Sequence, residues 1–317
     1  MADVRARAAR LVEHGQPLRV EAVDLADPAA GEVVVTMRYA GVNPIDRYGA
    51  LGRTALDGPV PRTLGMEGAG TVGDRTVVVH GGGLGTARDG LWATAAVVPE
   101  PLLVDVPAGV DLPVAASVGI AGVTAWRAVT ELGAVTAADR VLVLGASGGV
   151  GSIAVSAAHA AGATVCGQTG RDTKVAGIEA QGADRVVVSG ADDLVEQLAG
   201  FRPTVVIDPL GGAFTGAAVA AMATHGRLVL FGASAGAEGP MPLQLVYRKG
   251  LTIVGYGGLL DPDDVLVPWI AETLQAVADG RLRVPIDSIV PLGDVNGALD
   301  RLTDRSLEGK VVLDLRG

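Results

Sequence analysis

Cysteine is almost absent from this sequence of 317 residues, and long apolar runs are absent altogether. The single Cys166 excludes an internal disulfide and any zinc cluster built from cysteines. No apolar run reaches the roughly 18 residues that cross a bilayer, and residues 1–10 have no apolar core of a secretory signal. These absences predict a cytoplasmic protein with no membrane partner.

Positive charge is also scarce. The chain has 25 Lys and Arg residues against 35 Asp and Glu residues, for a net charge of −10. No basic stripe is present to neutralise phosphates, which excludes a nucleic acid as partner. The 317 residues are enough for two domains, each with a core of its own, and a hydrophobic content of 49% indicates a globular protein. A small molecule is therefore the expected partner.

The most informative stretch is residues 140–151, which combine a strand, a glycine turn and the start of a helix. Residues 141–144 are apolar on both faces, as in a buried parallel strand, and residues 150–161 have helical spacing. Without β-carbons, the glycines of the turn let the backbone approach a pyrophosphate at the helix N-terminus. They are Gly145, Gly148, Gly149 and Gly151. The flanking elements favour a dinucleotide site over a tight turn without a ligand.

Strands and helices continue to alternate after this turn. Further strands are predicted at 164–168, 185–188, 204–208, 227–231 and 251–256, and helices at 173–180, 192–199 and 213–223. Six strands with crossover helices predict an α/β fold with a doubly wound, six-stranded parallel Rossmann sheet. The last strand is expected at its edge.

The first part of the chain has a different pattern. Short β segments at 32–38, 76–80 and 95–98 predict a mostly β domain. Asp261 as N-cap and Pro262 as first residue predict a helix that stops before Gly280. Strand 310–315 is expected to return to the N-terminal domain, with the active site in the cleft between the domains. The predicted domains are a catalytic domain in two parts (1–116 and 261–317) and a cofactor domain (117–260).

Several motifs in this order resemble those of the medium-chain dehydrogenase/reductase superfamily. The segments are Gly-Val-Asn-Pro-Ile-Asp-Arg-Tyr at 41–48, Gly-Met-Glu-Gly-Ala-Gly at 65–70, Ala-Gly-Val-Thr-Ala-Trp at 121–126 and Gly-Lys-Val-Val-Leu at 309–313. Within the superfamily the chain is most similar to the zinc-independent quinone oxidoreductase-like branch. The resemblance implies a GroES-like catalytic domain, an NADP-binding Rossmann domain and a homodimer. The chain differs from the family in one segment. Residues 70–72 continue directly into residues 73–75, whereas relatives have a longer β excursion between them.

The resemblance also bears on the metal and the substrate. Metal-dependent relatives hold a catalytic zinc with Cys, His, Glu and Cys, whereas this chain has Asn43 near the first position and Met66 at the histidine position. Its four histidines have no ligand spacing, so we expect no metal. Without a Lewis acid, a quinone or an α,β-unsaturated carbonyl is an easier hydride acceptor than an isolated carbonyl, because conjugation spreads the developing charge.

The resemblance implies an active-site loop at 43–48, and two of its side chains are candidate catalytic residues. Asn43 offers an amide N–H and Tyr48 a phenolic proton to the substrate oxygen. Each also has a purely structural alternative: Asn43 before Pro44 makes a turn, or Tyr48 packs its ring.

The cofactor residues favour NADPH. An NAD site usually places an acid on the ribose about twenty residues after the glycine turn, but here the end of the second strand, residues 166–171, contains no acid, and the first one is Asp172. Arg171 and Lys174 follow where a 2′-phosphate would lie, with solvated surface charge as the alternative. Ser189 adds a hydroxyl. The remaining cofactor candidates are Thr124, Ser147, Val150, Phe231, Gly232 and Gly255, of which Gly232 and Gly255 are alternatively turn glycines.

The sequence thus predicts an NADPH-dependent reductase of quinones or activated alkenes. Two alternatives remain open: an NADPH-binding module with little turnover, and a specialised biosynthetic enzyme on the same scaffold. The apolar edge strand at 251–256 favours pairing of two copies about a two-fold axis.

Overall fold

The computed structural model describes residues 5–54 and 58–316, so the first four residues of the N-terminal segment considered above lie outside it. The strands in this part of the chain are β1 (Arg5–Leu11), β2 (Arg19–Asp24), β3 (Glu32–Val42), β4 (Arg62–Thr63), β5 (Glu67–Val72), β6 (Arg75–His80), β7 (Ala95–Pro99), β8 (Leu103–Asp105), β9 (Arg140–Val143), β10 (Thr164–Thr169), β11 (Arg185–Val188), β12 (Val205–Asp208), β13 (Arg227–Leu230), β14 (Thr252–Gly255), β15 (Ile286–Pro291) and β16 (Lys310–Asp314).

The α-helices are α1 (Pro44–Ala50), α2 (Leu112–Ala115), α3 (Val123–Arg127), α4 (Gly149–Ala160), α5 (Val175–Ala180), α6 (Leu194–Gln197), α7 (Gly212–Ala221), α8 (Leu243–Lys249), α9 (Asp263–Ala278) and α10 (Val295–Arg301). Short 3₁₀ segments lie at Glu100–Leu102, Asp172–Lys174, Gly258–Leu260 and Leu292–Asp294, and π-helical turns at Val118–Gly122 and Ala128–Leu132. None of the helices described is long and apolar enough to cross a membrane.

The chain packs into two compact units. The first unit comprises Met1–Val123, Leu259–Ala278 and Ile286–Gly317, and the second comprises Thr124–Gly258 and Asp279–Pro285. The second unit therefore begins several residues after the expected boundary at 117, and it includes a short stretch that follows α9.

A parallel sheet of six strands forms the centre of the second unit, in the order β11-β10-β9-β12-β13-β14. In chain order this is 3-2-1-4-5-6, the Rossmann arrangement, with β14 at one edge. Fully buried apolar side chains such as Leu142, Leu144 and Val206 fill the space on its faces. Cys166 is also buried there, and burial raises the pKa of its thiol to about 12. The sequence prediction of a six-stranded sheet is confirmed.

The first unit is mostly β, as predicted. Its larger sheet has the order β15-β16-β3-β5-β6-β8, with β7 also paired to β3, and a smaller sheet has the order β2-β1-β4. Strand β16 pairs antiparallel with β3, so the C-terminal strand does join the N-terminal sheet. Met37, Trp92 and Val311 are among its buried core residues.

Two local features of the first unit refine the sequence expectations. Val72 pairs with Arg75, so Gly73 and Asp74 form a two-residue hairpin, with Gly73 at a φ of +56°. This tight turn stands where the resemblance implies a longer excursion. The N–H groups of Val265 and Leu266 donate to the carbonyl of Pro262, so Pro262 rather than Asp261 occupies the N-cap of α9.

Candidate active site

The glycine turn lies between β9 and α4, at the carboxyl edge of the parallel sheet. Gly145 has a φ of +57°, a conformation that side chains with a β-carbon rarely adopt. A β-carbon on Gly151 would collide with the Gly145 carbonyl oxygen. The extended backbone at Gly148 then starts α4, whose first N–H groups have no partner within the helix. The turn therefore has the geometry that receives a pyrophosphate.

A glutamine that the sequence analysis did not select holds this turn in place. The backbone N–H of Gly145 donates to Gln168 Oε1 at 3.0 Å, and Gln168 Nε2 donates to the Ser189 carbonyl at 2.7 Å. Gln168 is buried in β10, next to β9 and β11 in the sheet. One side chain thus connects the ends of three neighbouring strands. The sequence did contain an indication of this role, because Gln168 is a polar amide in a predicted buried strand and a buried amide requires hydrogen-bond partners.

Ser189 follows β11 and carries a buried hydroxyl without a partner. The residue is only 5% exposed, and its Oγ has no hydrogen bond to any described residue. A buried hydroxyl without a partner is costly, so an unbonded one beside a ligand cradle indicates a place for a ligand atom. This observation fits the bound dinucleotide that the glycine turn implies.

The other cofactor candidates of the second unit are spread along the same sheet. Arg171 is exposed at the N-cap of the Asp172–Lys174 turn, whereas Lys174 is buried. Ser147 and Val150 are half-buried in and just after the turn, Phe231 and Gly232 follow β13, Gly255 ends β14, and Thr124 lies in α3. A β-carbon on Gly232 would collide with the Pro209 backbone, which gives this glycine a structural requirement of its own. No such contact surrounds Gly255 in the described part of the chain.

The loop after β12 is shaped by one buried carboxylate. Asp208 accepts hydrogen bonds from the N–H groups of Leu210 (2.8 Å) and Gly211 (2.9 Å) and from the Thr215 hydroxyl (2.6 Å). The Phe231 N–H donates to the Asp208 carbonyl at 3.1 Å. Asp208 therefore fixes the backbone between β12 and α7 at the same sheet edge.

In the first unit, the predicted 43–48 loop is a helix. Asn43 is extended at the N-cap of α1, and Pro44 takes the first helical position, where its fixed φ favours a helix and its missing N–H has no cost. Tyr48 lies on this helix, is 38% exposed, and has no hydrogen bond from its hydroxyl to another described residue. It is thus available to a ligand.

Asn43, in contrast, is buried and fully engaged. Its Nδ2 donates to Glu67 Oε1 at 2.7 Å, and its Oδ1 accepts a hydrogen bond from Lys310. Its backbone N–H donates to Asp46 Oδ2 at 2.9 Å. The predicted donor Asn43 therefore faces the protein interior in this structure, and the sequence analysis missed Glu67 and Lys310 as its partners.

The surroundings of Asn43 form a buried polar cluster. Glu67, Lys310 and Asp46 are all almost fully buried. Burial raises the pKa of Asp46 to about 7, the hydrogen bond from Asn43 opposes that rise, and the charge of Glu67 adds to it. His80 Nδ1 donates to the Met66 carbonyl at 2.7 Å, and burial lowers the pKa of this histidine. Lys310 forms an ion pair with Glu67, whereas its charge acts on Asp46 only through space and opposes the rise of the Asp46 pKa.

The donor set at this cluster does not fit a zinc ion. Met66 offers only a weak thioether ligand, and both Glu67 oxygens already accept hydrogen bonds from Asn43, Lys310 and Ile120. The Lys310 ammonium, 3.1 Å from Glu67, would repel a second cation. Among the residues described, no three His, Cys, Asp or Glu side chains are grouped as metal ligands.

Comparisons with known proteins agree with this fold. A family model for zinc-binding dehydrogenases matches residues 149–270. A mycocerosic acid synthase-like polyketide synthase of Mycobacterium tuberculosis is 28% identical over 95% of this chain, and the chain spans only 15% of that synthase's length. The human synaptic vesicle membrane protein VAT-1 homolog is 25% identical over 90% of this chain and 79% of its own.

Among solved structures, the quinone oxidoreductase of Thermus thermophilus, determined also in complex with NADPH, has a TM-score of 0.86 and 27% identity. The match covers 98% of this chain and 100% of the Thermus thermophilus chain. With the Rossmann sheet, the glycine turn and the GroES-like β unit, these matches support the assignment of the chain to the medium-chain dehydrogenase/reductase superfamily.

Proposed function

We propose that this protein is a zinc-independent, NADPH-dependent oxidoreductase that transfers hydride to a quinone or an α,β-unsaturated carbonyl. The observation that carries the proposal is the glycine turn between β9 and α4, held by Gln168 at the carboxyl edge of the 3-2-1-4-5-6 sheet. Hydride transfer is the chemistry that a nicotinamide supplies when it is bound. The chain's own residues then determine which dinucleotide binds and which acceptor is reduced.

The preference for NADPH is supported by the end of β10. The strand ends at Thr169 without an acid to bind a ribose 2′-hydroxyl, and the exposed Arg171 lies two residues further on. The unpartnered Ser189 hydroxyl lies after the adjacent strand β11. A guanidinium and a hydroxyl suit a 2′-phosphate, and the Thermus thermophilus relative was determined with NADPH.

The conjugated acceptor is supported by the polar cluster of the first unit. Its donor set is unsuitable for zinc, so a reaction that builds charge on one isolated carbonyl oxygen would lack a Lewis acid. Hydride addition to a conjugated system gives an enolate or hydroquinone anion, which a single hydrogen-bond donor can stabilise before it is protonated.

We assign that donor role to Tyr48. Tyr48 is 38% exposed and its hydroxyl has no hydrogen bond to another described residue, whereas the Asn43 amide is engaged with Glu67 and Lys310. Tyr48 donates its phenolic hydrogen bond to the substrate oxygen as charge develops there. Asn43 contributes by fixing the start of α1, which carries Tyr48.

A homodimer is the assembly we propose, built on the edge strand β14. This strand pairs with β13 on one side only, and no residue of the adjacent helix α8 is buried. Leu243 and Tyr247 on α8 are 70% and 68% exposed, and Ile253 on β14 is 38% exposed. An open apolar edge of this kind favours a second copy. Light scattering at micromolar concentration should give the mass of two chains; the mass of one chain would contradict the proposal.

A steady-state assay tests the function. Purified protein is mixed with NADPH and, in turn, 1,4-benzoquinone, 2-cyclohexenone and cyclohexanone, before and after exhaustive chelation. We expect NADPH oxidation with the first two acceptors, little with the saturated ketone, and no effect of chelation. Binding of NADPH without oxidation by any acceptor would instead favour a binding module, and activity on cyclohexanone that chelation abolishes would favour a zinc enzyme. A cytoplasmic location is part of the same proposal.

A further inference from the structure

The carboxylate of Glu67 is completely buried, in space that neighbouring glycines leave open. Its exposed fraction is 0%, and a β-carbon at Gly41 would collide with its Oε1 atom. Close to it, a β-carbon at Gly119 would lie 3.3 Å from the Glu67 β-carbon. Glycines on two separate segments therefore leave the space that this side chain occupies.

Both oxygens of Glu67 are used, and they hold three separate segments of the first unit. Oε1 accepts from Asn43 Nδ2 at 2.7 Å and from Lys310 Nζ at 3.1 Å. Oε2 accepts from the Ile120 N–H at 2.8 Å, in the π-helical turn Val118–Gly122. The carboxylate thus connects the end of β3, the start of β16 and this turn.

Lys310 is the second residue that binds the Asn43 side chain. It is 3% exposed and donates to the Asn43 Oδ1 and, at 3.4 Å, to the Val42 carbonyl. The Asn43 amide is therefore bound at its nitrogen by Glu67 and at its oxygen by Lys310. An amide held at both ends has one orientation. The Asn43 backbone is in turn bonded to the first turn of α1, because its N–H donates to Asp46 Oδ2 at 2.9 Å and its carbonyl accepts from the Asp46 N–H at 3.0 Å.

Stability alone is a poor explanation for such a pair. Removing two charges from water costs several kcal/mol per ion, and well-packed apolar residues often replace a buried ion pair without loss of stability. The pair instead holds polar atoms in one arrangement, and the segment it holds carries Tyr48, five residues after Asn43 in the sequence.

We propose that Glu67 and Lys310 are positioning residues that orient the Tyr48 hydroxyl through Asn43 and α1, an inference that rests on the function proposed above. The pair does not touch the substrate. It acts by placing the phenolic donor, and a misplacement of about 1 Å in such a donor costs up to about a hundredfold in rate.

The kinetic test is a cycle of Glu67→Gln and Tyr48→Phe, with Asp105→Asn as the matched control. Asp105 forms an exposed ion pair with Arg75, so this control makes the same acid-to-amide change at the surface. We expect Glu67→Gln to lower kcat by about ten- to a hundredfold with the NADPH Kd unchanged, and Asp105→Asn to leave both values unchanged. In the Tyr48→Phe background, Glu67→Gln should lower kcat by less than about twofold, because coupled residues are not additive. The same loss in both backgrounds, or no loss at all, would overturn the proposal.

A second variant covers the case in which Glu67→Gln alone fails to fold. The double variant Glu67→Gln/Lys310→Met leaves no unpaired buried charge from this pair. We expect it to unfold at a denaturant concentration close to that of the unmodified protein while kcat stays reduced. Full activity in the folded double variant would overturn the proposal.

A spectroscopic readout separates this proposal from the proposed function. The chain has four tyrosines, so protein labelled with 3-fluorotyrosine should give four ¹⁹F resonances, and Tyr48→Phe identifies one of them. Glu67→Gln should shift or broaden the Tyr48 resonance and leave that of Tyr247, in the second unit, unchanged. This change in a protein without turnover would reject the reductase and keep the positioning role. Turnover with an unchanged Tyr48 resonance would reject the positioning role and keep the reductase.

Discussion

Gln168 Oε1 accepts a hydrogen bond of 3.0 Å from the backbone N–H of Gly145, the residue at which the glycine turn begins. The same side chain donates to the Ser189 carbonyl at 2.7 Å. The turn and the unpartnered Ser189 hydroxyl are therefore linked through one amide at the carboxyl edge of the sheet. The conformation that receives the pyrophosphate depends on a residue outside the glycine motif itself.

Replacing Gln168 by Leu should weaken dinucleotide binding. Leucine nearly preserves the volume but leaves the Gly145 N–H and the Ser189 carbonyl without partners, at about 1–3 kcal/mol for each buried group. We expect a lower free energy of unfolding in urea and a dinucleotide Kd raised about tenfold or more. The exposed Gln197→Leu is the matched control. An unchanged Kd in the Gln168 variant would show that the turn keeps its conformation without the glutamine.

Replacing Arg171 by Ala should affect NADPH and spare NADH. A charge-assisted hydrogen bond to a phosphate contributes roughly 1.5–3 kcal/mol, so its loss should raise the NADPH Kd by about tenfold or more. NADH has no 2′-phosphate, and its Kd should be nearly unchanged. Fluorescence titration of both cofactors measures this difference, with the exposed Arg248→Ala as control. Equal affinities of the unmodified protein for NADPH and NADH would reject the preference.

Replacing Tyr48 by Phe should lower kcat without altering NADPH affinity. The change keeps the ring and removes only the hydroxyl that we assign to the substrate oxygen. Loss of such a donor costs about ten- to a thousandfold in kcat. Tyr247→Phe, on α8 of the second unit, is the control. Full activity of the Tyr48 variant would move the donor role elsewhere, and loss of folding would make Tyr48 a packing residue.

Asp46 should make stability fall as the pH rises from about 4 to about 7. Burial raises the pKa of Asp46 to about 7, whereas an unfolded chain has an aspartate pKa of about 3.9. Between these values the folded protein retains a proton that the unfolded chain releases, so the free energy of unfolding decreases by about 1.4 kcal/mol per pH unit from this group. The stabilising contribution is complete below about pH 4 and lost above about pH 7.

The matching experiment is urea unfolding of the unmodified protein and Asp46→Asn from pH 4.5 to 8. Asparagine can still accept the hydrogen bond of the Asn43 N–H but does not titrate. The stability of the unmodified protein minus that of the variant should therefore fall until about pH 7 and then level off. A difference that stays flat or rises with pH would contradict the raised pKa.

Most of the strands and helices of the second unit could be predicted from the sequence because each follows from a pattern of neighbouring residues. Apolar strands alternate with helices, and the strand at 185–188 coincides with the structure while the others agree within two residues. The expected place of the last strand at the sheet edge is confirmed. Helix α8 was not predicted because its apolar residues lie on more than one face: Leu245 and Val246 pack against the core, whereas Leu243 and Tyr247 are exposed.

The site residues of the first unit were harder to predict. Lys310 lies 243 residues from Glu67 and 267 from Asn43 in the sequence, and no local pattern reports that these three side chains meet. Asn43 was expected as a donor to the substrate, yet β16 places Lys310 against its amide oxygen. The 43–48 segment was expected as a loop, and the capped helix that forms there follows from Asn43 and Pro44 only when their partners are known.

Deuterium transfer tests the central claim most directly. The protein is incubated in chelator with 2-cyclohexenone and NADPH carrying deuterium at C4 of the nicotinamide, in both stereochemical forms separately, and the product is analysed by mass spectrometry. The account predicts cyclohexanone with one deuterium at the carbon β to the carbonyl, from one of the two forms only. Oxidation of the cofactor without deuterium in the product, or an allylic alcohol formed only when zinc is restored, would contradict hydride transfer to a conjugated acceptor without a metal.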